Sequence, residues 1–167
     1  MLKKMLFFNV ARCLACYGCE IACKIEHHRS EGLKWIELVT VGPEEIGGKL
    51  KMEFIPMNCR HCEDPPCMAV CPIKGAIYKR QDGIVLLEPT RCIGCKVCIQ
   101  VCPFGAMQFN GKKGVVEKCD LCVDRIDRGL EPYCAQSCFG KCIQYKEIAE
   151  ISKERREIAI KNIIVGR

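Results

Sequence analysis

The sequence has no long hydrophobic run, and none of its apolar segments approaches the roughly 18 to 20 residues that a membrane-spanning helix needs. Its first residues, MLKKMLFFNVARC, also lack the apolar stretch and the small-residue cleavage site of a secretory signal. With 167 residues, the chain has room for one ordinary domain or two very small ones. We therefore expect a cytoplasmic protein that reaches a membrane only through a partner.

Signatures of substrate chemistry are also absent from the sequence. It contains no nucleophile–base motif, no glycine-rich nucleotide loop, and no recognisable molybdopterin or nickel site. It has no basic run with interleaved aromatic residues either, which disfavours binding to nucleic acid. The chain is therefore expected neither to be an enzyme on its own nor to have a nucleic-acid partner.

What the sequence has in excess is cysteine, which accounts for 17 of its 167 residues. Such abundance usually marks a small secreted disulfide scaffold. Here, however, the count is odd and the cysteines are clustered instead of being spread between loops. In a reducing cytoplasm, clustered cysteines more often bind metal than form disulfides. We therefore interpret them as metal ligands.

Four motifs of four cysteines, numbered in chain order, account for all but Cys142. Motifs I and III share the spacing C-x2-C-x2-C-x3-C, motif II has C-x2-C-x4-C-x3-C, and motif IV has C-x2-C-x11-C-x3-C. The candidate ligands are Cys13, Cys16, Cys19 and Cys23 in motif I; Cys59, Cys62, Cys67 and Cys71 in motif II; Cys92, Cys95, Cys98 and Cys102 in motif III; and Cys119, Cys122, Cys134 and Cys138 in motif IV.

The spacing favours iron–sulfur clusters over zinc. A structural zinc site takes two cysteine pairs, usually from well-separated loops, so a third nearby cysteine is surplus to it. Cysteines at i, i+3 and i+6 can instead bind three corners of a four-iron cube, while the intervening amides face cluster sulfur. The fourth cysteine, predicted in the first turn of a helix, faces away and can bind a second cluster. The alternative is a zinc-stapled structural or nucleic-acid-binding adaptor.

The residues that follow the fourth cysteines separate the motifs into two classes. Pro72 and Pro103 follow motifs II and III, as in bacterial ferredoxins, where proline ends the cluster loop. Motifs I and IV depart from this pattern with Lys24 and Phe139.

The longer loops of motifs II and IV are expected to change solvent access or hydrogen bonding at their clusters, and through them the reduction potential.

The formal net charge of +6 counts every cysteine as neutral. A cubane cluster with four thiolates carries a charge of about −2, so four clusters would contribute about −8. Added to the formal +6, this leaves a net charge of about −2 on the loaded protein. The excess of lysine and arginine therefore offsets cluster charge and does not indicate a nucleic-acid partner.

Between the motifs, the sequence predicts short strand pairs and short helices in a repeating pattern. GAIYKRQDGIVLLEPTRC predicts two strands around an Asp82-Gly83 turn, and GAMQFNGKKGVVEKC predicts two strands with Asn110-Gly111 near the turn. LKWIELVTV and KLKMEFIPM predict two longer strands around a Gly/Pro/Glu loop. Short helices are predicted within CEIACKIEHH and CKVCIQVC.

Taken together, the motifs resemble the four-cluster iron–sulfur electron-transfer subunits of the DMSO-reductase type. These accompany molybdenum or tungsten formate dehydrogenases, and smaller relatives serve hydrogenases and carbon monoxide dehydrogenases. The resemblance rests on CLACYGCEIAC, CRHCEDPPCMAVCP, CIGCKVCIQVCP and KCDLCVDRIDRGLEPYCAQSC, and covers about residues 5 to 145. It implies a relay of single electrons between a catalytic oxidoreductase subunit of one of these types and a second redox protein.

Spacing alone leaves the pairing of the motifs open, because motif III is about equally far from motifs II and IV. The resemblance implies that motif II pairs with motif III and that motifs I and IV wrap around them. It also implies four 4Fe-4S clusters. Their ligands would be Cys13, Cys16, Cys19 and Cys138; Cys23, Cys119, Cys122 and Cys134; Cys59, Cys62, Cys67 and Cys102; and Cys71, Cys92, Cys95 and Cys98.

The implied fold is α+β, with two interleaved bacterial-ferredoxin-like modules of short strands and helices. The outer module would comprise residues 1–57 plus 110–146, and the inner module residues 58–109. Residues 147–167 are predicted to form a C-terminal amphipathic helix, because isoleucines recur at roughly helical spacing with charged residues between them. This helix either docks back onto its own module or binds a groove in a partner.

The leftover Cys142 is expected to be a small buried hydrophobic residue, with iron ligation as the alternative. Trp35 is expected in the core. Gly18 and Gly94 are expected to let the backbone approach a cluster closely.

The histidines of the sequence are not expected to bind iron, because the cysteine set is already complete. His61 lies inside motif II, and His27 and His28 follow motif I. All three histidines are expected either to be exposed to solvent or to lie beside the cluster ligands without binding iron.

Overall fold

The computed structural model describes residues 4–29 and 32–165. The strands are β1 (Lys4–Phe8), β2 (Ile36–Ile46), β3 (Lys49–Asn58), β4 (Ile77–Lys79), β5 (Val85–Leu87), β6 (Gln108–Asn110), β7 (Val115–Glu117) and β8 (Ile143–Glu147). The helices are α1 (Gly18–Glu26), α2 (Pro66–Ala69), α3 (Val97–Gln100), α4 (Val123–Ile126), α5 (Tyr133–Gln136) and α6 (Ile148–Val165). The predicted α+β character is confirmed.

The strands form four separate two-stranded antiparallel sheets, β1–β8, β2–β3, β4–β5 and β6–β7. The last three are hairpins between consecutive cysteine motifs, at the segments where the sequence predicts strand pairs. The β1–β8 sheet differs, because it joins strands from opposite ends of the chain, with Lys4 opposite Glu147. This pairing brings motif I, which follows β1, close to motif IV, which precedes β8.

The hairpin β2–β3 turns within the predicted Gly/Pro/Glu loop of residues 42–48, but β2 extends further into that segment than expected, to Ile46. The chain turns at Gly47 and Gly48, whose φ values are 61° and 73°. Two consecutive glycines adopt positive φ without steric cost and suit a two-residue hairpin. The segment with Pro43 lies within β2 at an irregularity of the ladder between Val41 and Glu44, where the missing N–H of proline is tolerated.

Two small clusters of buried side chains form the core. The first contains Leu6, Trp35, Ile36 and Ile143 together with buried thiols of motifs I and IV. The second contains Ile77, Val85, Met107 and Val116 together with thiols of motifs II and III. The expectation that Trp35 lies in the core is confirmed, since its side chain is buried beneath the Arg29 guanidinium, 4.0 Å from the ring centroid.

Helix α6 follows β8 directly and contacts β1 and β8. The Arg155 guanidinium lies 5.7 Å from the Phe7 ring centroid, and Lys146 forms an ion pair with Glu154. The predicted helix is therefore present from Ile148 to Val165, while residues 166 and 167 lie outside the described part of the chain. Within residues 4–29 and 32–165, no helix is both long and apolar enough to cross a bilayer.

Candidate metal centres

Each cysteine motif begins as an irregular loop and ends on a short helix. The third cysteine of each motif is the second residue of a helix: Cys19 in α1, Cys67 in α2, Cys98 in α3 and Cys134 in α5. The fourth cysteine follows one helical turn later. The prediction that the fourth cysteine occupies the first turn is therefore wrong. The helix starts one ligand earlier, because α2 and α5 begin at the residue after a proline and α1 and α3 begin directly after a residue with left-handed backbone.

A second repeat lies in the backbone just before the second cysteine of each motif. The residues at this position have left-handed conformations, with φ values of 52°, 47°, 67° and 63° at Ala15, His61, Gly94 and Leu121. Only one of the four is glycine, and side chains with a Cβ adopt this conformation at a cost in free energy. Such strain persists only where the surroundings impose it, and it recurs at the same position in three of the four loops. No residue type signals this conformation at these three positions.

The left-handed turns direct backbone N–H groups toward cysteine sulfur. The N–H of His61 donates to Cys59 Sγ at 3.5 Å, and the N–H of Leu121 donates to Cys119 Sγ at 3.4 Å. N–H donors stabilise the thiolate form that binds iron.

Further N–H donors reach sulfur from the hairpins and the loops after the helices. Val116 donates to Cys92 at 3.4 Å, Ala106 to Cys102 at 3.4 Å, and Ile143 to Cys138 at 3.3 Å. Hydrogen bonds of this kind tune the potential of an iron–sulfur cluster.

The two glycines singled out from the sequence have different surroundings. A Cβ at Gly94 would lie 2.2 Å from the Gly114 carbonyl oxygen, so glycine is required there by an approach of backbone to backbone. A Cβ at Gly18 would make an ordinary contact with Cys16 Sγ at 3.5 Å. A steric clash with the backbone therefore explains why glycine occupies position 94, whereas no such clash would arise from a side chain at position 18.

One cavity of about 360 Å³ is lined by cysteines of two different motifs, with a wall that is otherwise almost entirely apolar. Its thiols belong to Cys71, the last cysteine of motif II, and to the first three cysteines of motif III: Cys92, Cys95 and Cys98. Ile77, Leu87 and Val116 line much of the remainder.

A second cavity of about 340 Å³ has the reciprocal composition. Its thiols belong to the first three cysteines of motif II, Cys59, Cys62 and Cys67, and to Cys102, the last cysteine of motif III. Four soft sulfur donors around an apolar space of this kind suit an iron–sulfur cluster.

Most thiols of motifs I and IV lie in the first core cluster or pack against it. Burial raises the pKa of Cys23 to about 12, and the neighbouring Cys122 and Asp120 add to the rise. Burial likewise raises the pKa of Cys119 and Cys134 well above the ordinary value. Because a metal ligand must be a thiolate, these sites need the positive charge of a metal to hold their deprotonated form.

Cys19 of motif I has Cys138 of motif IV as a neighbour. Burial raises the pKa of Cys19 to about 11; the backbone N–H of Glu20 opposes part of that rise, and the nearby Cys138 adds to it. The leftover Cys142 lies beside the same group, since burial raises its pKa to about 12 and the nearby Cys13 and Cys138 add to that rise. Cys142 is fully buried, which confirms the expectation of a small buried residue.

His61 is buried, with 3% of its surface exposed, so a solvated role for it is wrong. Its Nδ1 accepts a hydrogen bond from the Val85 N–H at 3.1 Å, which leaves the proton of the neutral ring on Nε2. Burial and the nearby Lys118 ammonium lower its pKa to about 3. His61 also lines the second cavity, and its Nε2 has no hydrogen-bond partner among the described residues. The Nε2–H group of His61 is therefore available to donate a hydrogen bond to the sulfur of a cluster bound in this cavity.

His27 lies against motif IV, while the neighbouring His28 makes no contact with a candidate ligand among the described hydrogen bonds and ion pairs. The Nε2 atom of His27 lies 3.3 Å from Cys122 Sγ and 3.5 Å from an Asp120 carboxylate oxygen, and its ring packs on Trp35. The side chains of His27, Asp120 and Cys122 form a group compact enough to hold a metal ion. Since Cys122 is one of the sixteen candidate ligands, we regard His27 as a neighbour of that centre and not as part of a separate site.

Comparisons with known proteins place these features in a family. The 4Fe-4S dicluster domain matches residues 50–148. A subunit of the anaerobic dimethyl sulfoxide reductase of Escherichia coli K12 is 35% identical over 164 residues, which cover 92% of the present sequence and 78% of that protein. The formate dehydrogenase iron–sulfur subunit of Wolinella succinogenes is 36% identical over 177 residues, covering 93% and 86%. A thiosulfate reductase electron transfer subunit of Salmonella typhi is 35% identical over 153 residues, covering 90% and 79%.

Proposed function

Because the chain belongs to the 4Fe-4S dicluster family of iron–sulfur subunits, we propose that it relays single electrons through four 4Fe-4S clusters between a catalytic subunit and a second redox protein. It is an electron-transfer subunit of an oxidoreductase complex and not the catalytic subunit. When bound, iron–sulfur clusters supply one-electron redox chemistry over a wide range of potentials. The polypeptide supplies the thiolates, their hydrogen-bond donors and a largely apolar enclosure.

The observation that carries this proposal is the mixed lining of the two cavities. Each is lined by three cysteines of one motif and by the last cysteine of the other, so that motifs II and III exchange their fourth cysteines. This exchange supports two of the four ligand sets, Cys59, Cys62, Cys67 and Cys102, and Cys71, Cys92, Cys95 and Cys98. It is also the arrangement by which a bacterial ferredoxin run binds two clusters.

The neighbours of the motif I and motif IV thiols support the other two ligand sets. The first is Cys13, Cys16, Cys19 and Cys138, supported by the proximity of Cys19 and Cys138. The second is Cys23, Cys119, Cys122 and Cys134, supported by the mutual influence of Cys23, Cys122 and Cys134. The β1–β8 pairing, which brings motif I close to motif IV, supports an outer module of residues 1–57 plus 110–146 around an inner module of 58–109.

Two exposed cysteines with apolar neighbours support a relay between two proteins. Within the described residues, Cys16 in motif I and Cys95 in motif III are the two exposed cysteines, and both are the second cysteine of their motif. Large apolar side chains flank each of them in sequence. Leu14 is 60% exposed near Cys16, and Ile93 is 62% exposed near Cys95. Exposed apolar side chains beside a redox site suit docking of another protein, and each exposed cysteine would be the point of closest electronic contact.

The catalytic partner is proposed to be of the carbon monoxide dehydrogenase, hydrogenase or formate dehydrogenase type. The relative from Wolinella succinogenes, named as the iron–sulfur subunit of a formate dehydrogenase, supports the last of these. A cytoplasmic location, with membrane contact only through a partner, completes the proposal.

Anaerobic purification with metal and sulfide analysis tests the function. We expect about 16 iron and about 16 labile sulfide per chain, brown colour, and reducible centres with cluster signals in electron paramagnetic resonance. A colourless protein that contains zinc but neither iron nor sulfide would instead indicate a zinc-stapled adaptor. Co-purification from the native cell extract then identifies the catalytic subunit.

A further inference from the structure

Lys118 is a buried lysine between two candidate metal centres, and the proposed electron relay does not yet account for it. The residue follows β7 and precedes Cys119, and only 3% of its surface is exposed. Lysine is almost never fully buried unless its ammonium group is paired with a negative charge. A charge in this position therefore requires a compensating partner.

The hydrogen-bond acceptors that Lys118 has in the described part of the chain are neutral. Its Nζ donates to the backbone carbonyl of Val85 and to the carbonyl of Cys119, the latter at 2.9 Å. Among residues 4–29 and 32–165, no carboxylate forms an ion pair with it. Two carbonyl dipoles satisfy two of its three N–H donors, but they do not neutralise its charge.

The two carboxylates next to Lys118 in sequence are engaged elsewhere. Glu117 accepts from Arg29 at 2.6 Å and pairs with Lys113 at 3.2 Å. Asp120 accepts a hydrogen bond from the Cys122 N–H at 2.8 Å and lies beside His27. Neither is available as the counter-charge of Lys118.

The surroundings of Lys118 lie on the border between the second cavity and the motif IV thiols. Val85, which accepts one of its hydrogen bonds, lines the cavity of Cys59, Cys62, Cys67 and Cys102. Cys119, which accepts the other, is one of the buried motif IV thiols. The contact between Lys118 Nζ and the Val85 carbonyl therefore brings the ammonium group to the wall of this cavity.

We infer that Lys118 is an internal counter-charge that raises the reduction potential of the centre bound by Cys59, Cys62, Cys67 and Cys102 and, to a lesser degree, of the centre that includes Cys119. The inference rests on the proposed function, because it requires bound clusters. Four thiolates and an oxidised cubane core carry about −2, and reduction adds one more negative charge. A fixed positive charge in a poorly screened interior favours the reduced form over the oxidised form. Lys118 would thus act as a positioning and tuning residue at the junction of the two proposed modules.

The test is an anaerobic redox titration of the full chain, followed by electron paramagnetic resonance, on four proteins. Lys118→Met removes the charge and keeps a similar length, and Lys118→Arg retains the charge. Lys112→Met is the matched control, since Lys112 has the same charge but is exposed on the neighbouring turn. The wild-type protein provides the reference values for the iron content and for the reduction potential of each centre.

We expect Lys118→Met to retain its iron and to titrate with one or two of the four centres shifted to lower potential. The remaining centres should keep their wild-type potentials, and Lys118→Arg and Lys112→Met should titrate like the wild type. If Lys118→Met loses iron while Lys118→Arg keeps it, the charge is needed to hold the clusters, which also supports the role of a counter-charge.

Three outcomes would overturn the inference. A fully loaded Lys118→Met protein with unchanged potentials would exclude electrostatic tuning. An equal fall of potential in Lys118→Arg, or loss of iron in both Lys118 variants, would assign the effect to packing. A wild-type protein without iron and sulfide would instead refute the proposed function itself, so the two failures are distinguishable.

Discussion

Cys142 is the seventeenth cysteine in a protein whose four motifs need sixteen, and the structure buries it beside two candidate ligands. Its surface is 2% exposed, and Cys13 and Cys138 are close enough to raise its pKa further after burial has done so. Cys138, in contrast, accepts a hydrogen bond from the Ile143 N–H at 3.3 Å, as Cys102 does from Ala106. The hydrogen-bond pattern therefore favours Cys138 as the ligand and Cys142 as a packing residue.

Replacing these two cysteines separately tests the assignment. Cys142→Ala should keep about 16 iron per chain and lose only about 1 kcal/mol of stability, because it deletes one buried sulfur. Cys138→Ala should lose up to about 4 iron per chain, since it removes a ligand. Iron analysis and thermal melting under anaerobic conditions measure both effects. If Cys142→Ala loses iron while Cys138→Ala keeps its full iron content, Cys142 is the ligand and Cys138 is the packing residue.

Among the sheets, the hairpin β2–β3 is the longest, and it approaches a candidate ligand at its base, where the Asn58 side chain donates to Cys119 Sγ at 3.8 Å. Its base carries buried residues such as Ile36 and Leu38, whereas its outer part, from Val39 through Lys51, is exposed. Exposed residues contribute little to stability when they are replaced. The outer half is therefore expected to be dispensable for holding the clusters.

Shortening this hairpin is a direct test at the scale of an element. Replacing residues 42–52 by Asn-Gly joins Val41 to Glu53, which are opposite each other in the ladder, through a two-residue turn. Iron content should stay the same, and the melting temperature should move by less than about 4 °C. Val85→Ala is the sensitive control, because Val85 is buried in the second core and its truncation should cost about 1 to 3 kcal/mol. Loss of iron on shortening would show that the outer hairpin supports a cluster.

At the scale of the whole molecule, the described protein has little apolar core for its length. Four two-stranded sheets share no ladder with one another, and thiols make up part of both core clusters. Isolated two-stranded sheets are marginally stable in water. Metal binding is therefore expected to supply much of the free energy of folding.

Removing the iron should consequently unfold most of the chain. After treatment with a chelator under reducing, anaerobic conditions, far-ultraviolet circular dichroism should lose most of its strand and helix signal, and cooperative melting should disappear. Iron together with sulfide should restore both, whereas zinc alone should not. A cysteine-to-alanine variant of one ligand set provides a graded control. An iron-free chain that still melts cooperatively would contradict a metal-dependent fold.

The cysteine-rich motifs, the α+β pattern and the position of most short strands could be predicted from the sequence. These are local properties, because cysteine spacing, turn residues such as Asp82-Gly83 and alternating apolar residues act over a few positions. The sequence also indicated the family through the order of four motifs. The differences from the prediction are local as well: β2 extends to Ile46, further into the predicted loop than expected, and the short helices start just before the third cysteine of each motif.

Contacts between residues that are distant in sequence become visible only in the tertiary structure. The β1–β8 ladder brings residues 4–8 against residues 143–147, and each of two cavities is lined by thiols from two motifs. The tertiary structure also decided that His61 and Lys118 are buried, since nothing in their neighbouring residues distinguishes them from surface positions. Burial and long-range contact depend on how the whole chain packs, and the charge of Lys118 acquires a consequence only where water no longer screens it.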